Sequence, residues 1–236
     1  MSQHKQSKTE RLLSVEEKVP TTAQILKALR GTCYTYEVDR VFVRAITNPK
    51  YVATASPFKA GRFGPSPGTA DADLRLPFTW LYLAMDSLVA AWESQLVQNN
   101  RGAGTGFHIT SRAEAEGLLA YIRFVRPLCL WRLDKDHSSR LGVHDMINDG
   151  EYAACNLLGE RIREAMLMLP AAERPDGFVY PSRRVKGSPA LALADWAASE
   201  LFGNAEVEIT RFAESEIYAR FRDDVMRTDP PEPDAL

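Results

Sequence analysis

Five residues in this sequence stand where a reactive or recognising group meets an apolar element: Arg44, Arg62, Tyr82, Glu93 and Ser182. Arg44 closes the hydrophobic run Val41-Phe42-Val43, and Arg62 sits in Gly61-Arg62-Phe63-Gly64 inside a Pro-rich stretch. A guanidinium offers a planar fork of donors that fits a phosphate or carboxylate with two charge-assisted hydrogen bonds. Tyr82, in Leu81-Tyr82-Leu83-Ala84, presents an aromatic face for stacking or cation–π attraction. Glu93 ends Ala90-Ala91-Trp92-Glu93 and flanks the apolar stripe of its helix, where a charge is costly to bury unless it is paired or functional. Ser182 supplies a hydroxyl at the end of Gly177-Phe178-Val179-Tyr180-Pro181. Each also has a plain structural reading: a surface ion pair for Arg44, a loop brace for Arg62, core packing for Tyr82, a helix rim for Glu93, and a turn hydroxyl for Ser182.

The elements that must position them follow from pattern. Tyr34 to Ile46 is rich in β-branched and aromatic residues and reads as strand. Residues 47–77 carry five prolines and three glycines and read as a long loop, a flexible flap that holds Arg62. Thr79 to Ala84 is a second strand. Asp86 to Val97 is a helix with Leu88, Val89, Trp92 and Leu96 on one face, capped by Asp86 or Ser87. Leu118 to Val125 and Leu128 to Leu133 are strands parted at Pro127. Tyr152 to Leu169 is an amphipathic helix, and Gln24 to Leu29 is a short one stopped by Gly31. Phe178 to Tyr180, Ala190 to Ala194 and Val207 to Phe212 read as strand, although the apolar run 190–202 fits a helix equally well. Strands and helices do not alternate regularly, so the expected class is α+β.

Composition bounds the function. The chain has 236 residues, 45% hydrophobic and 25% charged, with a net charge of −2. That is a globular composition able to bury a core, without the basic excess of a general nucleic-acid binder. The most apolar stretch, Phe78 to Val97, is broken by Asp86 and Glu93, and a membrane span needs roughly 20 apolar residues. The first eight residues lack the apolar core of a secretory signal. Cys33, Cys129 and Cys155 are sparse and far apart, and are read as buried thiols of a cytoplasmic protein, with delivery to another cell by a route without a signal peptide as the alternative. The Gly-rich run Arg101 to Gly106 does not complete a dinucleotide fingerprint. His4, His108, His137 and His144 form no zinc pattern, and no phosphate loop or nucleophile elbow is present.

With these stretches in order, the sequence resembles the RES domain family. The resemblance is carried by Val41-Phe42-Val43-Arg44, Ala60-Gly61-Arg62-Phe63, Leu81-Tyr82-Leu83-Ala84, Ala90-Ala91-Trp92-Glu93 and Gly177-Phe178-Val179-Tyr180-Pro181-Ser182, and covers roughly residues 35–215. It implies an α+β core related to the ADP-ribosyltransferase toxins. It also implies NAD⁺ as substrate, with no bound cofactor, and inorganic phosphate as an optional co-substrate. The activity implied is that of a toxin which degrades NAD⁺ by phosphorolysis or hydrolysis, or transfers ADP-ribose. The alternative is a RES-like fold without turnover, a nucleotide-binding or protein-interaction module.

The residue types suit that substrate. Arg44 and Arg62 match a pyrophosphate, and Tyr82 matches the nicotinamide face. The Glu93 carboxylate suits the cation that develops on ribose as the glycosidic bond breaks. Ser182 can bond the carboxamide or orient Glu93. The expected layout is an N-terminal arm and short helix over 1–30, the NAD-binding catalytic domain over 31–220, and an acidic Pro-rich tail over 221–236. The expected partners are NAD⁺ and an antitoxin or immunity protein covering the site, with a homo-oligomer possible and neither nucleic acid nor membrane involved.

Overall fold

Short apolar runs, most of them holding β-branched or aromatic residues, build the sheet on which everything else rests. The computed structural model describes residues 15–66, 68–100, 105–134, 136–148 and 152–231. Leu12 and Leu13 of the N-terminal arm, Arg101 to Gly104 of the Gly-rich run and residues 232–236 of the tail lie outside the described residues. In chain order the strands are β1 (Tyr34–Tyr36), β2 (Val41–Ile46), β3 (Trp80–Ala84), β4 (Val97–Asn99), β5 (Phe107–Ile109), β6 (Leu118–Arg123), β7 (Leu128–Arg132), β8 (Gly177–Pro181), β9 (Pro189–Ala194) and β10 (Glu206–Arg211). Eight of them form one sheet in the order β1-β7-β8-β9-β3-β2-β6-β10, and β4 and β5 make a separate hairpin. All pairings are antiparallel except β7 with β8. The class is α+β, as the irregular succession of elements predicts.

Both faces of the sheet are covered, so its central strands are apolar on both sides. One face carries Phe42, Leu81, Leu83, Leu191 and Leu193 against Ala197, Ala198 and Leu201 of helix α7 (Asp195–Gly203). The other carries Val43, Trp80, Phe178 and Tyr180 against α1 (Thr22–Leu29), α2 (Ser87–Glu93) and α6 (Tyr152–Leu167). On that second face β9 offers only alanines. Trp80, Tyr82 and Ala84 of β3 stand opposite Ala194, Ala192 and Ala190, while Phe178 and Tyr180 of β8 oppose Ala192 and Ala190. The small side chains of β9 leave room for two flanking rows of aromatics, which meet edge to face. Further helices among the described residues are α3 (Ser111–Glu116), α4 (Asp136–Arg140), α5 (His144–Asn148) and α8 (Glu216–Arg222); Ala113, Ile147 and Phe221 bring α3, α5 and α8 into the core on this second face.

Several boundaries differ from the sequence reading. Tyr34 to Ile46 is two strands parted by a turn at Glu37 to Arg40, and they lie in different parts of the sheet. The helix begun at Asp86 stops at Glu93, and Val97 opens β4. The ambiguous run 190–202 is both things: strand to Ala194, then helix from Asp195. Packed structure also extends past residue 220: Phe221 is buried, and Thr228 N donates to Phe107 O at 2.8 Å. At the other end, Ile25 and Leu29 of α1 join the core.

The reading of three free thiols is corrected. Cys33 and Cys129 form a disulfide with Cα atoms 5.8 Å apart, and Cys155 alone is free and buried. Pairing of Tyr34 with Leu130 and Thr35 with Cys129 sets Cys33, one residue ahead of β1, diagonal to Cys129. The cross-link ties a three-residue edge strand to the sheet across a sequence separation of 96. Closing so long a loop should stabilise the fold by about 2–4 kcal/mol. Chemical denaturation with and without reductant measures this: a lowered midpoint on reduction is expected, and an unchanged one means the pair does not form.

Candidate active site

The cleft opens where two strands part. β2 and β3 pair only at Val43 with Ala84. Beyond that point their edges diverge and leave a cavity of about 350 Å³, within the range that holds small molecules. Arg44, Arg62, Tyr82 and Glu93 all line it, and Ser182 lies directly behind Glu93.

Glu93 is the last residue of α2. Asp86 caps the start of that helix by accepting from Val89 N at 2.8 Å. Its end is closed by Leu96 N to Ala91 O and Gln95 N to Trp92 O, the two bonds of a Schellman cap. That cap needs a left-handed residue, and Gln95 takes the place at φ 63° where glycine is usual. The stop at Glu93 therefore leaves the carboxylate at the helix end, in the cleft rather than on the helix flank. Ser182 Oγ donates to Glu93 Oε1 at 2.5 Å and accepts from the Arg184 and Val185 amides at 3.2 and 3.0 Å. The hydroxyl proton is thus committed to the carboxylate, and the hydroxyl itself is pinned by two backbone donors.

Arg62 is 8% exposed, and within the described structure none of its Nε, Nη1 and Nη2 atoms has a hydrogen-bond partner. Its guanidinium lies 5.3 Å from the centre of the Phe63 ring. A charge taken out of water without partners is strongly unfavourable, so this cation awaits an anion. The turn that carries it is anchored rather than a free flap, which corrects the expectation for this part of the 47–77 loop. Phe63 N donates to Tyr82 Oη at 3.0 Å, Ser66 N donates to Glu160 at 2.7 Å, and Asn156 Nδ2 bonds the carbonyls of Gly61, Arg62 and Gly64. Gly61 is obligatory, since a Cβ there would lie 2.3 Å from the Tyr82 ring.

Arg44 and Tyr82 are more tied down than their sequence roles suggest. Arg44 Nε, Nη1 and Nη2 donate to the carbonyls of Tyr51, Tyr82 and Thr54 at 2.9, 2.7 and 3.3 Å. It fills the gap left by the missing β2–β3 ladder, with three of its N–H groups spent. Burial pushes its guanidinium down to about 10, which still leaves it charged at neutral pH. Burial pushes the Tyr82 phenol up, so it stays neutral and accepts the Phe63 amide. Tyr180, which sequence reasoning passed over within its own motif, also lines the cleft; its phenol is raised by burial and then by the charge of Glu93.

The rim adds further cations. Lys59, Arg183 and Arg184 line the cleft, and Arg183 Nη2 donates to Tyr152 Oη at 3.2 Å with its guanidinium 5.2 Å from the ring centre. Among the lining residues, five cations face a single carboxylate, Glu93. Arg183 and Arg184 thus follow Ser182 directly in the chain and border the site. Among the described residues no cluster of His, Cys, Asp and Glu could hold a metal, and no helix is long and apolar enough to cross a membrane.

A family model described as the RES domain matches residues 41–215. The chain belongs to the RES domain family. The match spans all five motif residues, from Arg44 on β2 to Ser182 after β8. RES domains are linked to NAD-processing enzymes and to toxin–antitoxin systems. No curated protein and no solved structure matches the chain.

The orphaned cation gives a test that separates binding from stability. Arg62→Met removes a buried charge with no partner and keeps an apolar filling, so it should stabilise the empty protein by about 1–3 kcal/mol. The same change should weaken ADP-ribose binding at least tenfold, as loss of a charged hydrogen bond predicts. Urea denaturation and calorimetry check the two halves; a destabilised variant with wild-type affinity contradicts both.

Proposed function

We propose that this RES domain consumes NAD⁺ by cleaving the bond between nicotinamide and ribose. The observation that carries this reading is the pairing, in one cleft, of an unpartnered buried guanidinium with a carboxylate braced by a serine. In this reading Arg62 receives the pyrophosphate, with Lys59 as a second charge at the rim. Arg44 contributes the frame between β2 and β3 and adds its field. Tyr82 and Tyr180 form the aromatic wall against which the nicotinamide rests.

The chemistry is electrostatic. As the C–N bond lengthens, positive charge leaves the nicotinamide ring and accumulates on the ribose. Nicotinamide departs as a neutral molecule carrying the bond's electron pair. Ser182 occupies Oε1 of Glu93, which leaves Oε2 to face the ribose and its hydroxyls. A fixed carboxylate there stabilises the oxocarbenium-like state without reorganising at the moment of reaction. Neutral tyrosines around it keep the local dielectric low and the attraction strong.

The acceptor then adds to the ribose carbon. Inorganic phosphate is favoured over water by the excess of cations at the rim, Lys59, Arg183 and Arg184, which exceeds what one dinucleotide neutralises. Phosphorolysis gives ADP-ribose 1″-phosphate and nicotinamide. A toxin of this kind needs restraint, and the cleft mouth is the surface an antitoxin or immunity protein would cover.

Nicotinamide release from NAD⁺ by the purified protein, with and without phosphate and with products identified, tests the reading. Turnover is expected to rise with phosphate. Glu93→Gln should lower the rate roughly a hundredfold or more while the protein stays folded. A soluble Glu93→Gln variant with near-wild-type turnover, or no nicotinamide release by the wild type, overturns the assignment.

A further inference from the structure

The turn that carries Arg62 has no regular secondary structure; Tyr82 holds it from the sheet side, and its other side is held by one helix. Three consecutive contacts run along α6. Asn156 Nδ2 reaches Gly61 O at 3.2 Å, Arg62 O at 3.2 Å and Gly64 O at 2.9 Å. At Gly159 an added Cβ would sit 2.0 Å from Phe63 O, so the helix backbone and the turn touch. Glu160 then accepts from Ser66 N at 2.7 Å. Residues 156, 159 and 160 stand at i, i+3 and i+4 and share one helix face.

We infer that Asn156 is a positioning residue for Arg62, acting on anion binding through the backbone of the Arg62 turn. The inference rests on the reading of Arg62 as the phosphate-binding cation. Asn156 is 4% exposed and its amide nitrogen sits where three carbonyl oxygens converge. Only a donor is tolerated there, because an oxygen in its place would face three acceptors. Two hydrogens shared among three carbonyls fix the curvature of Gly61 to Gly64, and with it the exit direction of the Arg62 side chain. A binding cation left without partners depends on such support, because no bond of its own holds it in place. Asn156 does not line the cleft, so its influence on a ligand must pass through the turn.

Coupling separates this role from a purely structural one. Independent sites contribute additively to binding, whereas residues acting through one another do not. ADP-ribose affinity is measured by calorimetry for the wild type, Arg62→Ala, Asn156→Ala and the double variant. Asn156→Ala should weaken binding roughly tenfold in the wild-type background, from the loss of its shared hydrogen bonds. In the Arg62→Ala background it should change affinity less than about twofold, although it still lowers thermal stability. Asn156→Ser, which keeps a smaller donor, should fall between wild type and Asn156→Ala, and takes its place in the cycle if the alanine variant is insoluble. Equal losses in both backgrounds, or wild-type affinity in a folded Asn156 variant, overturn the positioning role while Arg62 remains the anion site. Unchanged affinity in Arg62→Ala overturns both the role and the reading beneath it.

Discussion

A guanidinium buried without a hydrogen-bond partner is the constraint from which the rest of this structure can be understood. Arg62 costs the empty fold free energy, and the protein carries that cost through contacts placed elsewhere. Asn156, Gly159 and Glu160 hold its turn from one side, and Tyr82 holds it from the other. The Phe63 ring lies 5.3 Å from the Arg62 guanidinium and packs edge to face on Phe178 and Tyr180 of the aromatic rows. In the proposed reading, a ligand bringing a phosphate would convert that cost into affinity, since the cation is already desolvated and fixed.

The second half of the site uses the same economy of means. Glu93 and Ser182 are 89 residues apart in sequence and meet because α2 packs beneath the β2–β3 split while β8 runs beside β9. Arg44 sits in the split itself, where its Nη1 takes the Tyr82 carbonyl of β3 and its Nε takes the Tyr51 carbonyl beyond β2. One arginine therefore has its donors on backbone carbonyls and the other has none of its nitrogens bonded within the described structure, although the sequence presents the two alike.

What could be read from sequence depended on how local the cause was. β3 and the start of α2 were legible because alternation and the Asp86 cap are local signals. The end of α2 was not, because Gln95 takes a backbone conformation that normally announces itself as glycine. Tyr34 to Ile46 read as one strand because its turn contains neither glycine nor proline. The Cys33–Cys129 pair depends on strand register across a separation of 96, which no spacing rule supplies. Asn156 looked like one polar residue in an amphipathic helix; its only trace was the spacing Asn156-x-x-Gly159-Glu160, a polar and glycine patch beside the apolar stripe of Leu158 and Ile162. The five motif residues were legible as a set, but which of them had free donors was a matter of three-dimensional packing.

The central claim is that the Arg62 guanidinium is the unfilled half of an ion pair with a dinucleotide phosphate. A crystal structure of the protein with ADP-ribose tests it most directly. The account predicts pyrophosphate oxygens at hydrogen-bond distance from Arg62 and the terminal ribose facing Glu93, with Ser182 still bonded to that carboxylate. A ligand seated elsewhere, with Arg62 still without a partner, would contradict it.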